Sequence, residues 1–244
     1  MDDGTFETAV DELVARDVDL ARLVDEHGRP RLWTRPAGFP ALVLLILEQQ
    51  VSLASAAAAY GRILGRLGTM APELLIATSS EQLRADGVSR QKDRYLRALS
   101  EALVGGNLDL DALAQLPDDE ARRALLALPG IGAWTADVYL LACLGRPDVW
   151  PVGDRALQVA TAEALDLPDV PGSLELTGFG DRWRPLRSSA ARLLWHGYLA
   201  RRGRADTTVD PLHATTDPPT TSVRGDGAGR RATKRRSPTR CRTS

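Results

Sequence analysis

The chain has 244 residues, of which 43% are hydrophobic and 26% are charged. This length and composition suit one large globular domain or two small lobes around a buried core. No apolar run approaches the roughly 18 residues that a membrane span needs, and the N-terminus, Met-Asp-Asp-Gly, lacks the positive flank of a signal peptide. These features argue against membrane and secreted proteins, and we expect a cytoplasmic monomer.

The charge is divided unevenly along the chain. Residues 201–244 carry 11 Lys and Arg against 4 Asp and Glu, a net of +7, which leaves residues 1–200 at −8. Nucleic-acid-binding proteins usually have a basic body, so the bulk charge argues mildly against that class. The basic tail, residues 203–244, is poor in large apolar residues, and we expect it to be disordered. It is either an inert extension or a source of nonspecific, salt-sensitive attraction to DNA.

The first part of the chain predicts helices. Apolar positions at helical spacing indicate two short helices within residues 5–27. A strongly apolar segment, residues 41–47, predicts a buried helix, which a break at residues 50–52 separates from an alanine-rich packed helix. Gln49 and Gln50 at this break are either two polar residues at a helix end or part of a site.

Residues 71–104 predict further helices, with Pro72 at a helix start and Ser79 and Ser80 as N-caps. A helix that opens after Gly87 begins with polar and basic residues. They are Ser89, Arg90, Lys92 and Arg94. This run either holds a phosphate at the helix N-terminus or forms a solvated charged face.

A tight turn, L-P-G-I-G at residues 128–132, joins a predicted helix at 118–127 to another at 133–144. Its two glycines let backbone N–H groups approach an anion, although helix pairs also need tight turns for packing alone. Asp154 then precedes a helix, which a Pro-rich loop separates from a last helix at 183–202. Because β-branched residues do not alternate over any useful length, the sequence predicts an all-α fold of two helical lobes with the turn at the rim of their cleft.

The string L-P-G-I-G-A-W-T-A, followed about twenty residues later by an Asp, resembles the helix-hairpin-helix, Gly/Pro-Asp superfamily of DNA glycosylases. Four more segments resemble its DNA-3-methyladenine glycosylase II family, in the family's order. They are L-E-Q-Q-V-S-L-A-S-A, G-V-S-R-Q-K-D-R-Y-L-R-A-L, W-P-V-G-D-R-A-L and R-W-R-P-L-R-S-S-A-A-R-L-L-W. The resemblance covers residues 38–200.

The resemblance implies a bilobal helical glycosylase domain over residues 1–202. Such an enzyme flips an alkylated purine, of the 3-methyladenine or 7-methylguanine type, out of double-stranded DNA and hydrolyses its N-glycosidic bond in base excision repair. It would be nucleoid-associated when bound to DNA. Because few residues precede Glu48, we expect no additional N-terminal β-rich domain.

Asp154 corresponds by this resemblance to the family's catalytic carboxylate. Bond cleavage builds oxocarbenium character on the sugar, which an ionised carboxylate stabilises while it orients the attacking water. The alternative is that Asp154 only caps the helix that follows.

Trp134 stands where relatives that also cut the DNA strand carry a nucleophilic lysine, and the chain has only Lys92 and Lys234 as lysines. The resemblance therefore implies a monofunctional glycosylase without lyase activity. Trp134 and Trp195 would offer aromatic faces to a cationic alkylated base, or they are ordinary core residues.

The resemblance places further residues in the base pocket, among them Gln49. Gln50 falls where a relative inserts a wedge into the gap that the flipped base leaves. Val138 and His196 stand where that relative has tyrosines, so the pocket would be less aromatic. His196 is a pocket wall, a phosphate contact or a surface residue.

The resemblance also implies contacts to the DNA backbone and to a monovalent cation, Na⁺ or K⁺. The predicted DNA contacts are Gly130, Ile131, Gly132, Arg187, Ser188, Arg90 and Lys92. The predicted cation ligands are the main-chain carbonyls of Leu126, Leu128 and Ile131. The sequence shows no side-chain metal site, and Cys143 and Cys241 indicate neither a disulfide framework nor an iron–sulfur cluster.

Two other functions stay open at this point. One is a glycosylase for a different purine lesion, deaminated or a cyclic adduct, on the same scaffold. The other is a noncatalytic helix-hairpin-helix module that only binds DNA.

Overall fold

A computed structural model describes residues 1–204 and Leu212. Within residues 1–204 the chain forms thirteen α-helices, one of which continues as a short π-helix, and no strand. The helices are α1 (Asp3–Arg16), α2 (Val18–His27), α3 (Phe39–Glu48), α4 (Leu53–Leu67), α5 (Pro72–Ala77), α6 (Ser80–Ala85), α7 (Arg90–Val104), α8 (Leu110–Gln115), α9 (Asp118–Leu126), α10 (Ala133–Val138, extended by the π-helix Tyr139–Cys143), α11 (Arg155–Ala164), α12 (Ser173–Asp181) and α13 (Arg187–Arg201). The all-α prediction is confirmed. None of the helices in the described residues is long and apolar enough to cross a membrane.

The helices divide into two lobes. In the terminal lobe α1 and α2 pack against α11 and α13, and α12 packs against α11, so both ends of the described chain meet there. In the central lobe α3 contacts α4, α7 and α10, while α5 and α6 contact α7. The helix pairs α8 with α9 and α9 with α10 complete the central lobe.

Asp17 fastens the start of the terminal lobe to its end. Its carboxylate caps α2 by accepting the Leu20 N–H at 3.1 Å, and it accepts the Trp183 indole N–H at 2.8 Å. Arg182 completes the arrangement with an ion pair of 2.7 Å. Two segments far apart in the sequence are thereby held together by one buried side chain.

Helix α3 is the core of the central lobe, because every residue except Pro40 is buried. It ends at Glu48 with Gln49 as its C-cap, and Gln50 has a left-handed φ of 57°, a conformation that is uncommon for a non-glycine residue. Ser52 then caps α4. The predicted break at residues 50–52 is confirmed.

Most predicted helices are present, with shifts of a few residues at their ends. Ser79 caps α6 as predicted. The last helix begins at Arg187 instead of residue 183, and residues 173–181, predicted as part of a loop, form α12. The prolines before this segment led to the prediction of a loop. The Glu175 carboxylate accepts the Gly172 N–H and so caps the N-terminus of α12. The predicted disordered tail, apart from residues 203, 204 and 212, lies outside the described residues.

Candidate active site

The turn of residues 127–132 requires glycine at position 130. Gly130 has a φ of +87° and lies against Tyr95, so that a Cβ there would approach the Tyr95 Cγ to 2.1 Å. Ile131, by contrast, is 3% exposed, and its N–H donates to the Leu128 carbonyl at 3.1 Å. One residue of the turn thus anchors it in the core while Gly130 lets the backbone pass close to α7.

An ion pair braces the two helices of the hairpin. The Arg122 Nε on α9 lies 2.6 Å from the Asp137 Oδ1 on α10. Burial raises the pKa of Asp137 above its ordinary value, and Arg122 opposes that rise. The pair holds α9 and α10 at a fixed angle and so fixes the shape of the turn between them.

The start of α10 presents backbone donors to solvent. Gly132 is its N-cap and offers no side-chain cap, and both Gly132 and Ala133 are exposed. Among the described residues, no acceptor binds the backbone N–H groups of Gly132, Ala133 and Trp134. Unpaired N–H groups at the positive end of a helix form a favourable place for an anion such as a phosphodiester.

Asp154 is both a helix cap and a component of this site. Its Oδ1 accepts the Leu157 backbone N–H at 2.7 Å, which caps α11. Its Oδ2 accepts the Trp134 indole N–H at 2.7 Å, and Oδ1 also accepts the Trp195 indole N–H at 3.2 Å. The two interpretations of Asp154 are therefore compatible, since capping one helix leaves the half-buried carboxylate beside Trp134.

A cavity of about 740 Å³ lies in front of Asp154, between the end of α3, the hairpin and the start of α11. This volume falls in the range of small-molecule sites. Its lining residues are Glu48, Gln49, Gln50, Gln91, Tyr95, Gly130, Ile131, Gly132, Ala133, Trp134, Thr135, Gly153, Asp154 and Arg155. The central lobe supplies all of them except the last three, so the cavity lies where the two lobes meet.

Gln49 and Gln50 have different positions in this cavity. The Gln49 Nε2 donates to the Gly130 carbonyl at 2.8 Å and to the Thr135 Oγ1 at 3.0 Å. Gln49 therefore ties the end of α3 to the hairpin. Gln50 is exposed and projects from the strained turn at the cavity edge.

A buried network behind the cavity was not predicted. Glu48 forms a two-point ion pair with Arg35, with oxygen–nitrogen distances of 2.7 and 2.8 Å. The Arg35 guanidinium lies 5.1 Å from the ring centroid of Trp33, which packs edge-on against Trp195 at 5.8 Å. This chain of contacts runs from the cavity wall at Glu48 to the indole that hydrogen-bonds Asp154.

Sequence reasoning also missed Gln91, Tyr95 and Arg155 as lining residues. The Gln91 Nε2 donates to the Tyr95 hydroxyl at 2.6 Å, which joins the first turn of α7 to the ring against Gly130. The resemblance marked the segment that contains Gln91 and Tyr95, but not which of its side chains face the hairpin.

Three predicted pocket residues lie away from the cavity lining. Val138 is 1% exposed and belongs to the core, so its predicted place in the pocket wall is wrong for this structure. The His196 Nε2 lies 3.0 Å from the His27 carbonyl, at the end of α2. Trp195 reaches the site only through its indole N–H to Asp154.

Several predicted phosphate contacts are occupied within the protein. Ser188 is fully buried and donates to the Arg146 carbonyl at 2.6 Å, which contradicts a direct contact to DNA. Arg187 binds Asp148, with its Nε 2.8 Å from Oδ1.

The predicted contacts on α7 and in the hairpin differ in their exposure. The Lys92 Nζ donates to the Leu47 carbonyl at 2.7 Å, and burial lowers the pKa of Lys92. The Ile131 N–H is used within the turn. Arg90 is exposed, as a phosphate contact requires.

The helical fold, the hairpin with free amides and the carboxylate at the cavity define one class of protein. The family model described as HhH-GPD superfamily base excision DNA repair protein matches residues 43–176. This is more than half of the chain, and the chain belongs to this superfamily.

Individual relatives agree with this assignment. The chain is 33% identical to the solved DNA-3-methyladenine glycosidase from Bacillus halodurans, with a TM-score of 0.70 over 84% of this chain and 95% of that one. The Schizosaccharomyces pombe 3-methyladenine DNA glycosylase, solved in complex with abasic DNA, is 26% identical, with a TM-score of 0.71 over 82% of this chain and 99% of that one.

A longer relative comes from Mycobacterium tuberculosis and carries the name "Probable bifunctional transcriptional activator/DNA repair enzyme AlkA". It is 34% identical over 197 residues, which cover 77% of this chain and 39% of the relative. The chain therefore spans about two fifths of the length of that protein.

Proposed function

We propose that this chain is a monofunctional DNA glycosylase that removes alkylated purines, of the 3-methyladenine or 7-methylguanine type, from double-stranded DNA, and that it acts as a monomer. The observation that carries the proposal is the Asp154 carboxylate, held by two indole N–H groups at the wall of a cavity of about 740 Å³. The residues that carry the unpaired backbone N–H groups of the hairpin line the same cavity, and these N–H groups can donate hydrogen bonds to a phosphate.

In the proposed reaction the bond between the sugar C1′ and the purine nitrogen breaks, and its electron pair leaves with the base. Positive charge then develops on the sugar, and the ionised Asp154 stabilises it. Water adds to C1′ on the exposed face, with Asp154 as the acceptor that orients it and takes its proton. The products are the free base and an abasic site in an intact strand.

Base selection follows from the same residues. A purine alkylated on a ring nitrogen is cationic, and the face of Trp134 attracts it with about 0.5 to 2 kcal/mol. In this proposal Gln50, which is exposed at the cavity edge, enters the gap that the flipped base leaves. Its amide can hydrogen-bond the base that has lost its partner.

The proposal excludes strand cleavage by an amine. Trp134 occupies the hairpin position of the lyase lysine, and Lys92, the lysine among the described residues, is bound to the Leu47 carbonyl. We expect borohydride to trap no covalent complex with damaged DNA and strand breaks to appear only after alkali. A trapped complex would contradict this part of the proposal.

We propose that the hairpin also binds a monovalent cation. The carbonyls of Leu126 and Ile131 accept no hydrogen bond within the described residues, and Leu128 accepts one from Ile131. These three oxygens would hold Na⁺ or K⁺ and stabilise the turn. No group of His, Cys, Asp or Glu in the described residues has the arrangement of a metal site.

The decisive experiment is base release from methylated duplex DNA by Asp154→Asn. Asparagine is an equally good N-cap, so the variant keeps α11 capped while it loses the charge. We expect release to fall about a hundredfold or more, with DNA binding retained. The control is Asp109→Asn, which exchanges the cap of α8, outside the cavity, and leaves release unchanged.

Three outcomes would overturn the proposal. Undiminished release by Asp154→Asn would remove the role of the carboxylate. Faster excision of a deaminated or cyclic-adduct purine than of any methylated purine would change the substrate class. Binding without base release on any duplex would indicate a noncatalytic DNA-binding module.

A further inference from the structure

A second groove lies beside the candidate active site. It has a volume of about 500 Å³ and is formed by α6 and the first turns of α7. Arg84, Arg90 and Arg94 line it, and all three are exposed. Gln91 lines both this groove and the cavity of Asp154, so the two recesses share a wall.

The three groove arginines differ from most arginines of this protein. Within the described residues none of their side chains makes an ion pair or a hydrogen bond, whereas the side chains of most other arginines do, as in Arg66 with Asp86. Glu81, one turn before Arg84, forms no ion pair with it in this part of the chain, although the Arg84 charge adds to the backbone and Ser79 hydrogen bonds that lower the pKa of Glu81. No carboxylate of the described residues lies within ion-pair distance of these three guanidinium groups.

The carboxylate at the bottom of the groove does not cancel their charge. Asp93 is buried and pairs with Arg97, whose Nε lies 2.8 Å from the Asp93 Oδ1. The exposed charged side chains that line the groove are therefore the three guanidinium groups. They form a local positive surface on a body, residues 1–200, whose net charge is −8.

We propose that this groove binds the phosphodiester backbone of the DNA duplex next to the flipped nucleotide. A guanidinium group donates two parallel hydrogen bonds to phosphate oxygens, and it stays charged at any physiological pH. Because the groove adjoins the cavity at Gln91, a duplex seated on the hairpin extends its backbone across it. Arg155, exposed on the opposite side of the cavity, continues the positive surface.

This assignment deepens the proposed function, on which it rests, and it changes the set of phosphate contacts. Lys92, whose ammonium is held by the Leu47 carbonyl and which does not line the groove, is left out, and Arg84, which belongs to a different helix, is included. It also explains how an acidic protein attracts a polyanion, since the unpaired cations stand together at the site.

The test is the salt dependence of binding to an undamaged duplex and to one with an abasic site, between about 50 and 200 mM salt. The variant is the triple change Arg84→Gln, Arg90→Gln and Arg94→Gln. The slope of log K against log salt is negative, and each lost phosphate contact makes it shallower by about 0.9. We therefore expect the triple variant to have a slope that is shallower by about 3. Each single variant makes it shallower by about 1.

The control removes the same charge elsewhere. Arg16→Gln, Arg29→Gln and Arg202→Gln, combined, change three arginines of the terminal lobe that are paired with carboxylates. We expect this control to keep the wild-type slope. An unchanged slope in the groove variants, or an equal fall in the control, would overturn the proposal. Thermal unfolding checks that each triple variant is folded, and the single variants carry the test if one is not.

The experiments can reject the groove proposal and the proposed glycosylase reaction separately. If the wild-type chain releases no base from methylated DNA but the groove variants lose slope, the groove stands as a DNA-binding surface and the proposed reaction is wrong. If the chain releases base and the slopes do not change, the reaction stands and the groove proposal is wrong.

Discussion

At the scale of single residues, Asp154 shows how one carboxylate combines structure and proposed chemistry. An aspartate before a helix is most simply a cap, and Asp154 does cap α11. The capping bond fixes the carboxylate, and the two indole N–H groups fix its plane. The same contacts that stabilise the helix therefore hold the charge in one place, which is the condition for electrostatic stabilisation of a transition state.

The two glycines of the hairpin provide a prediction at this scale. Gly130→Ala must strain a φ of +87° and displace Tyr95, whose Cγ would lie 2.1 Å from the new methyl carbon. We expect a loss of stability of about 2 to 4 kcal/mol, from backbone strain and overpacking together, measured by urea unfolding. The matched control is Gly132→Ala, where φ is −87° and no atom lies within 4 Å. Equal effects of the two changes would contradict this account.

At the scale of elements, α3 positions both walls of the cavity. Its buried length sets it in the core, its last residue Glu48 pairs with Arg35, and its cap Gln49 holds the hairpin carbonyl of Gly130. Its start is fixed as well, because the Gly38 N–H donates to the Tyr139 hydroxyl at 3.1 Å. The hairpin contact and the cavity edge thus both lie at the C-terminal end of α3, whose start is held by Tyr139.

The buried pair at the end of α3 gives a second prediction. Glu48→Ala removes the carboxylate that forms a two-point ion pair with Arg35, and both side chains of this pair are buried, only 5% and 6% exposed. Breaking such a pair costs about 3 to 5 kcal/mol. Glu12→Ala, which breaks the exposed pair with Arg16, costs under about 1 kcal/mol. Urea unfolding of both variants measures the contrast, and similar losses would show that burial of the pair is unimportant.

The contact at the start of α3 gives a third prediction, on pH. Burial raises the pKa of Tyr139 from 10.0 to about 12, so folding favours the neutral phenol. The resulting contribution to the free energy of unfolding, about 3 kcal/mol, is complete below pH 10 and is lost as the pH rises through 12. In Tyr139→Phe the free energy of unfolding should fall less over this range. A parallel fall in the two proteins would exclude Tyr139 as its cause.

At the scale of the whole molecule, the cavity exists because two lobes meet. Asp154 and Arg155 begin α11 of the terminal lobe, and the remaining walls come from the central lobe. The terminal lobe is closed by contacts between α1, α2 and α13. A substitution that weakens these helix contacts is therefore expected to move the Asp154 carboxylate relative to the hairpin.

Asp17 provides the prediction at this scale. Asp17→Ala removes the cap of α2, worth about 1 kcal/mol, and leaves the fully buried Trp183 N–H without its acceptor, worth a further 1 to 3 kcal/mol or so. We expect a total loss of about 2 to 4 kcal/mol in unfolding experiments. Asp109→Ala removes only the exposed cap of α8 and should cost about 1 kcal/mol. Equal losses would show that the Trp183 contact adds nothing.

The sequence by itself determined the features that depend on near neighbours. The turn L-P-G-I-G, the N-cap positions of Ser79 and Asp154, the break after Gln49 and the helical class follow from local spacing and backbone preference. The order of the motifs also pointed to the superfamily. These signals act over a few residues.

Only the tertiary structure decided which face of each helix meets the site. Successive residues of a helix point about 100° apart, so Trp195 reaches Asp154 while His196 turns to α2, and Ser188 is buried while Arg90 is exposed. The pairing of Glu48 with Arg35 and the groove of free arginines likewise depend on how distant helices pack. Sequence spacing does not predict such contacts, because it does not specify which surfaces the two lobes bring together.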